Sequence, residues 1–350
     1  MLNFFEDDLN LIYDNTKGIL FDENDKTFFL TGGTGFFGIW IIMSFLFVNR
    51  KLKLNSKMIV LTRDKKKFLL KHGWIEDYRE ISFLEGDISS FEFIENNIDY
   101  IIHAATEASI KLNDEKPLVM FETIVLGTQR ILEFARIKKV KSFLLTSSGA
   151  VYGKQPSDIE KISEDYIGAP VTSDAKSMYG EGKRMAELLC ATYHKLFNLP
   201  VKVARCYAFI GPFLELNSHF AAGNFIKNLL NNEDIIIEGD GTPYRSYMYS
   251  ADLTIWLWTI LIKGKNNSPY NVGSSNAISI EELADLISKK DDSSQTKVII
   301  KTKKSNIPAL RYVPDVDKAM NELNLRIYTD LEACLEKTIS FNKNILNISK

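Results

Sequence analysis

The chain has 350 residues, 45% hydrophobic and 25% charged, with a net charge of −2, which is the composition of a soluble globular protein with one large domain or two. Its basic runs are short, such as Asp64–Lys67 and Lys301–Lys304, and leave no footprint for nucleic acid or for a polybasic membrane anchor. The N-terminal "MLNFFEDDLN" carries acidic residues where a secretory signal would carry basic ones, and reads as an extra amphipathic helix. Phe28–Val48 then runs 21 residues without a charge, long enough to cross a bilayer. Four glycines and two threonines crowd Thr31–Gly38, however, and such a cluster marks a turn. The expectation is a buried strand, a turn and a buried helix.

Short apolar runs follow at 57–62, 81–86, 99–105, 141–148 and 201–207, alternating with segments of helical length at Lys116–Arg136 and Met178–Phe197. Continuous apolar strands separated by helices imply a parallel sheet covered on both faces, the doubly wound α/β (Rossmann) arrangement. After residue 207 the rhythm changes. Residues 1–207 are expected to form one domain with the extra N-terminal helix, and 208–350 a smaller mixed α/β lobe, interrupted where about 250–270 returns to the first. Cys190, Cys206 and Cys334 are widely spaced with no CxxC or Cys/His grouping, so neither disulfides nor a metal site are expected, and a reducing cytoplasm fits.

Two stretches carry chemistry. "TGGTGFFG" (31–38) holds Gly33-x-Gly35-x-x-Gly38, and equally Gly32-x-x-Gly35-x-x-Gly38, directly after a predicted strand and opening a helix. In that context glycine backbone can approach a pyrophosphate at a helix N-terminus, so a dinucleotide is expected there. The next strand ends in Thr62 and Arg63, where an NAD site commonly carries an acidic residue. A guanidinium there suits a 2′-phosphate and favours NADP(H), while Asp64, one step away, keeps NAD(H) open. "SMYGEGKRMAE" (177–187) places Tyr179 and Lys183 four apart, on one helix face. A cation beside a phenol favours the phenolate and would make this tyrosine an acid/base; the alternative is a surface Tyr/Lys pair.

Together with "GDIS" (86–89), "HAAT" (103–106), "SSGAVYG" (147–153) and "YGEGK" (179–183), these motifs resemble an extended short-chain dehydrogenase/reductase. "RCYAFIGP" (205–212), "GDGTPYRSY" (239–247), "YNVGSS" (270–275) and "RYVPDVDKA" (311–319) extend the resemblance to that family's nucleotide-sugar epimerases, dehydratases and reductases, over nearly the whole chain. The resemblance implies that Ser148 bonds the substrate's reacting oxygen, Tyr179 exchanges its proton, and Lys183 holds the nicotinamide ribose while lowering the tyrosine pKa. It implies cofactor contacts at Gly32, Thr34, Gly35, Phe36, Phe37, Gly38, Thr62, Arg63, Asp87, Ile88, Ala104, Ala105 and Thr106, with Asp87 and Ile88 flanking the adenine. On the substrate side it implies Ser148, Gly149, Asn224, Arg245 and Arg311, the two arginines pairing with the diphosphate. Gly180 and Gly182, each costing about 1 kcal/mol in a helix, are expected to keep the helix face open where cofactor and sugar meet.

Departures from the family pattern narrow the reaction. Its 4,6-dehydratases carry an Asp-Glu pair after the catalytic Ser/Thr, and here those positions are Gly149 and Ala150, neither of which moves a proton. Ile124 and Ala208 each stand where the family usually has asparagine. Glu181 is expected to face solvent and His219 to be incidental. The expected activity is NAD(P)-dependent reduction of a dTDP- or CDP-4-keto-6-deoxyhexose at C4; the alternatives are a C4 epimerase, then a 4,6-dehydratase or a non-catalytic binding protein. A homodimer is expected through helices 116–136 and 178–197, with Leu118, Phe121, Val125, Met185, Leu188 and Leu189 as apolar positions that could equally face the chain's own sheet.

Overall fold

The computed structural model describes residues 1–20, 23–105, 110–217, 220–290, 296–304 and 307–348. α1 (Glu6–Leu20) is the expected N-terminal helix, with Glu6, Asp7 and Asp8 in its first turn, where carboxylates meet the positive end of the helix dipole. The uncharged stretch resolves into β1 (Thr27–Thr31), a turn, and α2 (Phe36–Leu52). α2 is buried from Gly38 to Leu46 because it lies between the sheet, α1 and a later helix, Ser250–Lys263. Its apolar character serves the core, and among the described residues no helix is long and apolar enough to cross a membrane.

The chain continues through β2 (Lys57–Thr62), α3 (Lys65–His72), β3 (Ile81–Glu85) and β4 (Tyr100–His103). The long helical segment after residue 110 is broken into α4 (Ile110–Glu115), α5 (Pro117–Phe121), a π-helical stretch Glu122–Leu126, and α6 (Gly127–Lys138). β5 (Ser142–Ser148), α7 (Met178–Phe197) and β6 (Val201–Cys206) complete the alternation. Beyond it lie β7 (Phe209–Ile210), α8 (Ala221–Leu230), β8 (Ile235–Ile237), β9 (Tyr244–Arg245), β10 (Met248–Tyr249) and α9 (Ser250–Lys263). The chain ends with β11 (Pro269–Val272), β12 (Ile278–Ser279), α10 (Ile280–Ser288), β13 (Val298–Ile300), β14 (Arg311–Tyr312), α11 (Asp317–Leu323) and α12 (Leu331–Ile348).

Seven strands form one parallel sheet in the order β11-β6-β5-β4-β1-β2-β3. Both faces are covered, as the unbroken apolar strands require. One core cluster gathers α1, α2 and α9 around Trp40, Trp256 and Trp258; the other packs Phe29, Ile101 and Phe143 beneath α6 and α7. α9 packs on this sheet and β11 extends its edge beside β6. The remaining strands make three small sheets, β7 with β10, β12-β9-β14, and β8 with β13. The strand order reverses beside β1 and β4, and the crevice at their C-terminal ends is where an open α/β sheet takes its ligand.

Candidate active site

The cofactor side is built by backbone closing on backbone. Gly32 has φ +71°, and a Cβ on it would sit 2.3 Å from the Ala104 carbonyl oxygen. The same atom on Gly38 would lie 2.3 Å from Gly33 Cα, so only glycine lets α2 dock against its own turn. Thr34 and Gly35 are exposed, and Gly35 caps α2 with its Cβ position open beyond 3.4 Å. The result is an uncovered helix N-terminus at the crevice, a shape that fits a pyrophosphate. Phe36 and Phe37 are half-buried in the first turn, Phe37 edge-on to Phe209 at 5.1 Å.

Thr31 Oγ1, at the end of β1, meets His103 Nδ1 at 2.7 Å and accepts from the Ala105 amide at 3.2 Å. His103 Nε2 meets Thr128 Oγ1 at 3.0 Å, and burial, with the Lys183 charge second, holds this imidazole down to about 3. A neutral histidine thus ties β1, β4 and α6 together beneath the crevice. At the end of β2, Thr62 is buried and accepts from the Asp64 amide, Arg63 is exposed, and the Asp64 carboxylate caps α3 by accepting from the Lys67 amide at 2.8 Å. Asp87 is half-buried; burial raises its pKa, but hydrogen bonds from Ser89 and the Arg63 charge outweigh it and the net shift is down. Ile88 is buried against Gly127, so its side chain packs behind Asp87. Ala104 and Ala105 are half-buried at the end of β4; Thr106 lies outside the described residues, as does His219.

Ser148, Tyr179 and Lys183 come together. Ser148 ends β5, is buried, and hydrogen-bonds Tyr179. Asn113, a residue the sequence motifs did not single out, reaches over from α4: its Oδ1 accepts from the Tyr179 amide at 3.0 Å and its Nδ2 donates to the Lys176 carbonyl. Lys183 is buried, and its Nζ donates to the Thr146 carbonyl at 2.7 Å. Burial pushes the Tyr179 phenol up to about 12, opposed by the Ser148 hydrogen bond. Burial in turn brings the Lys183 ammonium down to about 8. Desolvation is the largest influence on both, Lys183 being buried and Tyr179 half-buried.

The glycines beside this pair serve protein packing. A Cβ on Gly180 would meet Pro170 Cγ at 2.8 Å and the Ala150 carbonyl at 2.9 Å, whereas on Gly182 it would rest at 3.4 Å from Ile124. Glu181 is half-buried and pairs with Arg184 at 3.5 Å.

The sugar side is closed by aromatic rings. A Cβ on Gly149 would lie 2.6 Å from Tyr207 Cζ, so the Tyr207 ring occupies the space a side chain there would need. Tyr207 lies 4.6 Å from the Tyr312 ring, and Tyr312 Oη is 3.4 Å from Ser148 Oγ. Among the described residues the buried Tyr207 hydroxyl has no hydrogen-bond partner. The two arginines separate. β9 and β14 pair with Tyr244 opposite Arg311 and Arg245 opposite Tyr312, so Arg245 shares the face of Tyr312 while Arg311 goes to the other face, 4.4 Å over the Tyr244 ring. Asn224 is half-buried on α8. Among the described residues no group of His, Cys, Asp or Glu could hold a metal ion.

Residues 28–273 match the model of the NAD dependent epimerase/dehydratase family. The protein belongs to that family. Among its relatives, UDP-glucuronic acid decarboxylase 1 of Arabidopsis thaliana is 32% identical over 251 residues, covering 71% of this chain but only 56% of the relative's own length. The dTDP-D-glucose 4,6-dehydratase of Dictyostelium discoideum is 31% identical over 270 residues, 74% of this chain and 60% of that protein. The crystal structure of UDP-glucuronic acid 4-epimerase from Bacillus cereus, in complex with UDP-glucuronic acid and NAD, superposes with a TM-score of 0.77 at 23% identity, over 91% of this chain and 99% of that one. This family thus spans decarboxylases, dehydratases and epimerases of nucleotide sugars, on the fold seen here. Tyr207 and Tyr312, which stand beside Gly149 and Ser148, are not singled out by the sequence motifs that contain them; only packing brings them there.

Proposed function

We propose that the protein reduces the 4-keto group of a dTDP- or CDP-linked 4-keto-6-deoxyhexose, using NADPH or NADH. The observation carrying this reading is the wall after Ser148: Gly149 is filled by the Tyr207 ring and Ala150 has no titratable group, while Ser148, Tyr179 and Lys183 are assembled. Removing water across C5 and C6 needs an acid and a base, and neither neighbour supplies one. Reduction at C4 needs one proton donor, and a phenol kept protonated well above neutral pH is one.

The residues divide the work. Gly32, Thr34, Gly35 and the first turn of α2 would hold the pyrophosphate, Asp87, Ala104 and Ala105 the adenine side, and Lys183 the nicotinamide ribose. Bound NAD(P)H supplies the hydride. Ser148 Oγ bonds the C4 oxygen, Tyr179 gives that oxygen its proton, and Arg245 offers a planar cation to the diphosphate. Arg63, exposed at the end of β2 while Asp64 is engaged as a helix cap, supports a preference for NADP(H). On this reading 208–350, less the 250–272 return, is the sugar-nucleotide lobe. A homodimer is part of the proposal: Leu118, Phe121, Met185 and Leu188 are exposed on neighbouring helices, whereas Val125 and Leu189 pack inward. Three buried free cysteines accord with a reducing cytoplasm.

The test incubates the protein with dTDP- and CDP-4-keto-6-deoxyglucose and either cofactor, with product structure read by NMR. Stoichiometric NAD(P)H consumption with a hydroxyl formed at C4 is expected. Interconversion at C4 with tightly held NAD and none added would establish the epimerase instead. Conversion of dTDP- or CDP-glucose to a 4-keto-6-deoxy product, or carbon dioxide release from UDP-glucuronic acid, would overturn the reductase.

A further inference from the structure

Tyr179, Lys183 and Glu187 recur every four residues along α7 and so share one face. Glu187 meets the β5–β6 pair at the rung joining Ser147 to Arg205, one step before the rung joining Ser148 to Cys206. Its carboxylate accepts from Ser147 Oγ at 2.5 Å, from Arg205 Nη2 at 2.7 Å and from Arg205 Nε at 3.1 Å. The Glu187 and Arg205 side chains are only 15% and 14% exposed. From Arg205 the bonds run on. Nη1 donates to Tyr152 Oη at 2.8 Å, Tyr152 Oη to Asn271 Oδ1 at 2.9 Å, and Asn271 Nδ2 to the Asp315 carbonyl at 2.9 Å, three residues beyond Tyr312. One half-buried carboxylate therefore joins the face of α7 bearing Tyr179 and Lys183, the strand ends bearing Ser148, and the segment bearing Tyr312.

Apolar residues of similar volume hold a helix on a sheet as firmly as a buried ion pair does, so adhesion alone does not account for this one. What a two-pronged charged contact adds is direction. We propose that Glu187 is a positioning residue, locking the face of α7 in register with the end of β5 so that Tyr179 and Lys183 stand at working distance from sugar and cofactor. This rests on the proton-transfer reading of the site. Glu187 also acts electrostatically. Among the described residues, the groups around Lys183 include Glu187 and Cys190 on α7, Cys206 on β6 and His103 on β4, and of these Glu187 is the carboxylate.

The test uses the full chain with Glu187→Gln and with the double variant Glu187→Gln/Arg205→Gln. The single variant leaves the Arg205 cation buried and unpaired and is expected to lose stability; the double variant removes both charges and should fold. In the double variant kcat should fall about 100-fold, NADPH binding should persist, and the alkaline limb of kcat/KM should move to lower pH. Lys183 in 13C-lysine-labelled protein should titrate lower by NMR, because the neighbouring negative charge is gone. Wild-type kcat or an unmoved Lys183 titration in the double variant would overturn the proposal, and so would its failure to fold, which makes the pair structural. If the wild-type protein reduces no 4-keto sugar, the functional reading fails, while the Lys183 titration still decides the role of Glu187.

Discussion

The two walls of the site use glycine in opposite ways. On the cofactor side Gly32 and Gly38 let backbone close on backbone, and Gly35 is left exposed with open space at its Cβ position. That wall is shaped to be filled from outside. On the sugar side Gly149 opens a space that Tyr207 fills from within, backed by Tyr312 against Ser148. A missing side chain thus makes room for a ligand in one wall and for the protein's own ring in the other.

Substitutions in the two walls and along α7 break or sharpen this contrast. Tyr179→Phe keeps the ring and the cofactor wall but deletes the proton donor, so turnover should fall by about 10²–10⁴-fold while cofactor binding, followed by fluorescence titration, is retained. Near-normal turnover would move the proton source into the filled wall, to Tyr312 or Tyr207.

Lys183→Met should abolish activity yet stabilise the fold. The folded pKa of Lys183, about 8, lies below its ordinary 10.5, so the unfolded chain binds the extra proton between those values. The cost of the buried ammonium is fully present below pH 8 and disappears as pH rises toward 10.5. At pH 7 the variant should gain up to about 3 kcal/mol, and the gap in chemical-denaturation stability should narrow above pH 8. A constant gap would mean that burial does not set this titration.

Gly149→Asp places a side chain where the Tyr207 ring stands and should cost about 1–3 kcal/mol, partly recovered by adding Tyr207→Ser; thermal unfolding reads both. An unchanged melting temperature for the single variant would show that the wall yields. The smallest effects are expected within α7. Gly182→Ala meets only ordinary contact with Ile124 and should stabilise by about 1 kcal/mol through helix propensity. Gly180→Ala meets the Ala150 carbonyl at 2.9 Å and should destabilise instead. Equal shifts for the pair would remove the packing distinction.

What the sequence determined by itself was whatever neighbours in the chain encode. The strand-turn-helix at 27–52, the alternation of the parallel sheet, the open turn at Gly35 and the shared face of Tyr179 and Lys183 all follow from periodicity and local spacing. The same spacing would have found Glu187, one further turn along α7. Only the tertiary structure decided the rest. Tyr312 meets Ser148 across 164 residues of chain, and no local pattern records that contact. β9 and β14 are two residues long, too short for alternation to show that Arg245 and Arg311 face opposite ways. The direction of the Tyr179 shift depends on how completely water is excluded around it. The Tyr/Lys spacing fixes which groups share a face, but the local dielectric belongs to every element packed around them, and that is set by the fold.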